Sequence, residues 1–199
     1  MPLVFRRLAL LMSIAAAFAA DKETPFTAPA ATAMAHKQTS EQVTIGADPF
    51  DTAAKTKTAF AKLDPNEYGV LPVLVVIQND SSATIDLSHL QAQYKEPGAR
   101  AVDFTPASEV KYVRGARPPG VIGTPTGGVA AAPRLKKNPL EAWEIEGRAF
   151  AAKMIPPGKS ASGFFYFQGS LKPGATISLD GLTQAPSGKA LFYFEVPLE

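Results

Sequence analysis

Two periodicities organise the apolar positions of this chain. Alternation of apolar and polar residues marks strands. It appears at Gln42-Val43-Thr44-Ile45, Thr84-Ile85-Asp86-Leu87 and Leu90-Gln91-Ala92-Gln93-Tyr94. The run Val70-Leu71-Pro72-Val73-Leu74-Val75-Val76-Ile77 lacks alternation, is β-branched and closes on Asn79-Asp80-Ser81-Ser82. It predicts a strand buried on both faces, with Pro72 near its beginning or beside an edge. In the C-terminal third, turns at Pro156-Pro157-Gly158-Lys159, Lys172-Pro173-Gly174 and Pro186-Ser187-Gly188-Lys189 precede strands over 160–168, 175–179 and 190–196. Phe165 and Phe167 are expected on one face of their strand, Phe164 and Tyr166 on the other, all in core.

Three stretches carry helix signals instead. Asp48-Pro49-Phe50-Asp51 pairs a capping Asp with Pro at the first helical position, a helix start. Phe50, Ala54, Ala61 and Leu63 would then face the core, with Lys55, Lys57 and Lys62 outside and Asp64-Pro65-Asn66 as the stop. Thr105-Pro106 opens a short helix to Val113, stopped by Gly115. Asn138-Pro139-Leu140-Glu141 starts a third through about Phe150. Leu140, Trp143, Gly147, Phe150 and Met154 recur there at three- and four-residue steps, which makes Trp143 a core plug. Short strands separated by turns about every dozen residues favour an antiparallel sandwich. The fold class is therefore mainly β, a β-sandwich with two or three short helical insertions.

The first 20 residues alter what counts as the working protein. Arg6-Arg7 precedes an apolar run from Leu8 to Ala20, and Ala17 and Ala19 offer small residues at a cleavage site. These are the parts of a secretory signal, and the run is too short for the ~20 apolar residues of a spanning helix. Residues 21–40, rich in Ala, Thr and Pro, read as a flexible leader, and 41–199 as one domain. Removal of Arg6 and Arg7 from 20 basic residues leaves 18 against 18 acidic ones. A near-neutral domain lacks the basic footprint of a nucleic-acid binder. With no cysteine in the chain, thiol chemistry is excluded and the fold must rest on its apolar core. Residues 115–137, with Arg117-Pro118-Pro119-Gly120 and Thr124-Pro125-Thr126-Gly127-Gly128, form a loop longer than compact domains usually carry. They read as a disordered excursion in preference to a ligand-binding loop. Arg117, Arg134, Lys136 and Lys137 are its candidate contacts to an acidic partner.

Sites for chemistry are sparse. His36 and His89 stand alone, without paired metal-ligand spacing. Asp86-Leu87-Ser88-His89 gathers three triad residue types, but adjacent strand residues point to opposite faces, so no triad follows. Gly123-Thr124-Pro125-Thr126-Gly127-Gly128 is followed by Val129-Ala130 where a phosphate loop needs Lys and Ser or Thr. Asp48/Asp51 and Glu144/Glu146 are read as helix-terminal and surface charges. Asn79-Asp80-Ser81 fits a glycosylation sequon on which no glycan is expected. No catalytic residue, cofactor or metal is assigned.

Three stretches carry a resemblance: Gly69 to Asn79, Ile155 to Phe167 with its Pro156-Pro157-Gly158 turn, and the closing Phe192-Tyr193-Phe194 strand. Through them the chain, over about residues 41–196, resembles uncharacterised bacterial exported proteins with an immunoglobulin-like β-sandwich domain. The helical stretches depart from a plain sandwich. The resemblance implies an envelope or cell-surface role, through binding, and brings no catalytic residues. The expected function is a non-catalytic extracytoplasmic binding or assembly module, periplasmic or secreted, whose partner is an envelope protein. The alternative is a small carrier holding an apolar ligand in a pocket of the sandwich.

Overall fold

A computed structural model of the protein describes residues 26–113, 138–191 and 193–199. The signal segment, the 115–137 loop and its Arg117, Arg134, Lys136 and Lys137, and Phe192 lie outside the described residues. The described chain is mainly β, with twelve strands in three antiparallel sheets and two short α-helices.

The first sheet joins β1 (Lys37–Ser40), β2 (Val43–Pro49), β3 (Val70–Asn79) and β8 (Lys159–Gln168) in that order. The second runs β11 (Lys189–Ala190), β10 (Thr183–Ala185), β4 (Thr84–Asp86), β7 (Met154–Ile155). The third runs β12 (Phe194–Pro197), β9 (Thr176–Asp180), β5 (Gln91–Lys95), β6 (Val102–Asp103). The long pair β3–β8 extends from Val70↔Gln168 to Asn79↔Lys159. Pro72 sits third in β3, and its carbonyl accepts the Phe50 N–H at 2.8 Å. Its nitrogen faces the same way, where β2 has already ended at Pro49, so no ladder bond is lost.

Both faces of the first sheet are covered. Leu71, Val73, Val75, Ile77, Phe165 and Phe167 join residues of the other two sheets in one buried cluster. Val70, Leu74, Val76, Phe164 and Tyr166 join a second cluster with the helical segments. The expected division of the four aromatics between two buried faces holds, because strand alternation leaves no other choice once both faces are covered.

The flexible leader is corrected for residues 26–40. Ala31 and Met34 are buried, Phe26 packs against the second cluster, and Lys37–Ser40 pairs with β2. The β1–β2 hairpin turns on Glu41 and Gln42, at φ 47° and 61°. Two left-handed central residues make the turn that matches strand twist, and they favour Gly over a residue with Cβ. Gln42→Gly is expected to stabilise the fold by about 0.5–1 kcal/mol, the left-handed penalty less the added chain entropy of Gly. Denaturant midpoints compare the two proteins, and a lower midpoint for the variant would count against this turn.

The helices are shorter than expected. Asp48 and Pro49 finish β2, and α1 spans Ala53–Phe60 behind a Thr52 cap. Its buried residues are Thr56, Ala59 and Phe60, with Ala54 exposed. Starting four residues later turned the apolar stripe. The stretch from Thr105 is extended at its start, where Thr105 bridges to Tyr166. A hydrogen-bonded turn closed on the Pro106 carbonyl follows, and Val110–Tyr112 winds as a 3₁₀ turn. The expected 190–196 strand breaks into β11 and β12, which belong to different sheets.

The third helix is interrupted. Pro139–Glu141 is a 3₁₀ turn capped by Asn138, Ala142 is extended at ψ 140°, and α2 covers only Trp143–Gly147. The extended residue resets the helical phase. Ile145 is buried in place of Trp143, whose side chain is 60% exposed, and Met154 is exposed as well. Trp143 is not a core plug.

Candidate functional site

The covering of the β8 outer edge creates the site. Strand alternation points the backbone groups of Ser160, Ser162, Phe164 and Tyr166 away from β3. Phe164 donates its N–H to the Arg148 carbonyl at 2.9 Å and accepts from the Phe150 N–H at 3.0 Å. Tyr166 accepts from the Thr105 N–H at 2.7 Å. Toward the start of β8 this cover ends, because the chain before Arg148 winds up into α2. Gly163 permits the crossing, since a Cβ there would collide with the Phe150 backbone.

The helix is anchored to the sheet by a buried bond. The Tyr166 hydroxyl donates to the Ile145 carbonyl at 2.7 Å. Burial pushes the Tyr166 phenol well above its ordinary range, and the positive charge of Arg148 offsets part of that shift. Tyr166→Phe would leave the Ile145 carbonyl without its donor and is expected to cost about 1–3 kcal/mol. A raised folded value keeps the phenol protonated while the unfolded chain ionises near 10.0. The contribution of Tyr166 is therefore complete below that pH and lost as pH rises above it. Wild type should lose stability more steeply than the Phe variant in alkali, by up to about 1.4 kcal/mol per pH unit. Parallel urea titrations from neutral to alkaline pH check this, and equal slopes would contradict the burial of the phenol.

Between α2 and the uncovered edge lies a hollow of about 290 Å³, lined by Phe26, Leu74, Trp143, Arg148, Ser162 and Phe164, with Gly147, Ala149 and Gly163. Leu74 and Phe164 form its apolar floor. Phe26 is fixed by ring contacts to Phe50 at 5.9 Å and Phe164 at 5.5 Å. The Trp143 ring folds back over Gly147, where a Cβ would lie 2.9 Å from it. Between these walls the Arg148 guanidinium sits 5.5 Å from the Phe26 ring centre and 5.6 Å from that of Trp143. Aromatic faces attract a guanidinium and fix its plane.

Arg148 is short of acceptors. Its Nε is buried and meets no hydrogen-bond partner among the described residues. None of the described ion pairs includes it: Lys55 takes Asp48 and Asp51, Lys95 takes Glu195, and Lys189 takes Glu41. A buried donor left unmatched costs about 1–3 kcal/mol. Among the described residues the cleft lining holds one cation, one hydroxyl, the Trp143 indole and apolar side chains, with no carboxylate or imidazole.

On the far side of residues 148–150 lies a wider groove of about 580 Å³, lined chiefly by apolar residues including Leu87, Leu90, Phe104, Phe150 and Phe165, with Glu146 and Lys153.

Other sequence candidates fall apart from the cleft. His36 precedes β1, while His89 is exposed between β4 and β5. Asp86 accepts the Ser88 N–H at 2.8 Å, and hydrogen bonds from the Ser88 side chain and amide hold its carboxyl below the ordinary range. Asp86, Ser88 and His89 thus belong to a turn. Asp48 and Asp51 share Lys55, at 2.9 and 3.6 Å. Asn79 is fully buried with both amide hydrogens engaged, so the sequon's acceptor nitrogen faces inward. Among the described residues no cluster of three His, Cys, Asp or Glu is placed to hold a metal, and no helix is long and apolar enough to cross a membrane.

Sequence reasoning missed Arg148 and Phe26. The signal available was a lone tryptophan one helical turn ahead of a Gly-Arg pair, Trp143 to Gly147-Arg148. No protein-family model matches the chain, and no curated protein matches it.

Proposed function

We propose that this protein is a non-catalytic binding module of the bacterial cell envelope, working outside the cytoplasm, which holds an anionic group at Arg148. The observation that carries the reading is the Arg148 guanidinium, clamped between Phe26 and Trp143 in an open cleft with its Nε unmatched among the described residues. Export is supported by the basic, apolar and small-residue order of residues 1–20. An immunoglobulin-like sandwich is supported by the apolar cluster that the first sheet shares with the other two. A binding role in preference to catalysis is supported by the cleft's lining, which among the described residues offers a positioned cation and no general base.

Trp143 is the only tryptophan, so its fluorescence reports this cleft alone. Titration with benzoate should change the emission saturably. Arg148→Gln should weaken benzoate at least about tenfold, the loss of one charge-assisted interaction. Benzyl alcohol should bind no better to wild type than to the variant. An equal response of both proteins to benzoate would remove the reading. The 580 Å³ groove favours a second one, the apolar carrier. There an uncharged apolar ligand would be taken up by wild type and Arg148→Gln alike.

A further inference from the structure

We infer that the ligand of the cleft is the C-terminal end of an extended peptide, added as a parallel strand to the free edge of β8 with its carboxylate on Arg148. This rests on the anion-binding reading above and specifies its ligand.

The first observation is an unused sheet edge leading into the cleft. Ser160 and Ser162 pair with Gln78 and Val76 on the β3 side, and their outward N–H and C=O groups meet no backbone partner among the described residues. Both are exposed. An exposed edge of this kind accepts a strand through main-chain bonds. The small Ser side chains leave room beside it.

The second observation fixes where such a strand stops. Two residues farther along β8, the Arg148 carbonyl and Phe150 N–H already occupy the edge through Phe164. A ligand strand lying in line with residues 148–150 therefore runs into Arg148 and must end there. Only a chain terminus fits.

The third observation selects which terminus. The Ala149↔Phe164 bridge is parallel, so a strand continuing that line backward runs parallel to β8 and presents its C-terminus to Arg148. The reverse orientation would bring an N-terminal ammonium to a guanidinium, which repels it. A carboxylate there gains a planar, two-pronged partner already held in place by two rings. Residues opposite Ser162 share its face of the sheet, the face of Leu74 and Phe164, so an apolar last side chain is expected.

The test uses an N-terminally labelled pentapeptide, Thr-Val-Thr-Val-Leu, read by fluorescence anisotropy against the protein. The comparisons are its C-terminal amide, two forms with alternate amide nitrogens methylated in either register, and the Arg148→Gln protein. The free acid should bind. The amide should bind at least about tenfold more weakly, as should the free acid to the Gln variant, on loss of a charge-assisted pair. One methylated register should lose binding, because its edge bonds are blocked. Equal binding of acid and amide, or undiminished binding of both methylated forms, would overturn the inference. Binding of benzoate without binding of any peptide would overturn it while leaving the anion site standing. Failure of benzoate and peptide together would remove both.

Discussion

Asn79→Asp is expected to destabilise the protein by about 3–5 kcal/mol, although the two side chains have nearly the same shape. The Asn79 amide is fully buried and uses every hydrogen-bonding position. Its nitrogen donates to the carbonyls of Ala83 and Ile155 at 2.8 and 2.9 Å, and its oxygen accepts from the N–H and hydroxyl of Ser81 at 3.0 and 2.6 Å. These bonds shape the turn after β3 and tie the first sheet to β7 in the second. Aspartate puts an oxygen where the two donors were, opposite two carbonyl oxygens. Ionised, it is a buried charge facing negative dipoles; protonated, it can serve only one of the two carbonyls. Burial raises the folded value of that carboxyl above its unfolded value. The variant should therefore recover stability on acidification and lose it again as pH rises through the folded value. Urea unfolding at neutral and mildly acidic pH measures both effects. A variant within 1 kcal/mol of wild type at neutral pH would show that Asn79 does not make these bonds.

Gly163→Ala is the second large effect, expected at about 2–4 kcal/mol for a single added methyl group. The new Cβ would lie 2.6 Å from the Phe150 nitrogen and 2.9 Å from the Ala149 carbonyl carbon. Both neighbours are backbone, held at the β8 edge by the bonds to Phe164, so neither can swing aside as a side chain would. Relief requires residues 148–150 to lift from the edge, and Arg148 would lift with them. The variant should lose stability and benzoate binding together. Gly158→Ala provides the contrast. Gly158 has φ 68° with nothing near its Cβ position, so it should lose only the left-handed backbone penalty of roughly 1–2 kcal/mol and keep ligand binding. If Gly163→Ala were as mild as that, the crossing of 148–150 over β8 would be wrong.

What was legible in the sequence was what neighbouring residues decide among themselves. Alternation placed Phe164 and Tyr166 opposite Phe165 and Phe167, and the unbroken Val70–Ile77 run marked a strand covered on both sides. Asn138 did cap a turn, whereas Asp64, read as a helix stop, caps the 3₁₀ turn Pro65–Tyr68 that follows. Misreadings arose where the phase of one stretch depends on the next. The extended Ala142 cannot be read from its type, yet it moves Trp143 from core to cleft. Residues 26–40 lack periodicity because Phe26, Ala31 and Met34 fill gaps on a sheet face built by distant strands, without forming a stripe of their own. The 190–196 strand splits because its two ends find partners in different sheets, a choice made by tertiary pairing. Arg148 carried only the weak local sign of Trp143 one helical turn ahead. Its significance lies in two rings brought beside it, one of them 122 residues earlier in the chain, from Phe26 to Arg148.

The central claim, an open cleft in which Arg148 meets solvent anions beside Trp143, is tested most directly by quenching of tryptophan fluorescence. Iodide and caesium ions reach an exposed indole by the same route but with opposite charge. Iodide should quench Trp143 substantially better than caesium in wild type. Arg148→Gln should bring the two quenchers close together, and benzoate should protect wild type from iodide. A Trp143 shielded from both ions, or quenched by both equally with Arg148 present, would contradict the cleft and the anion site together.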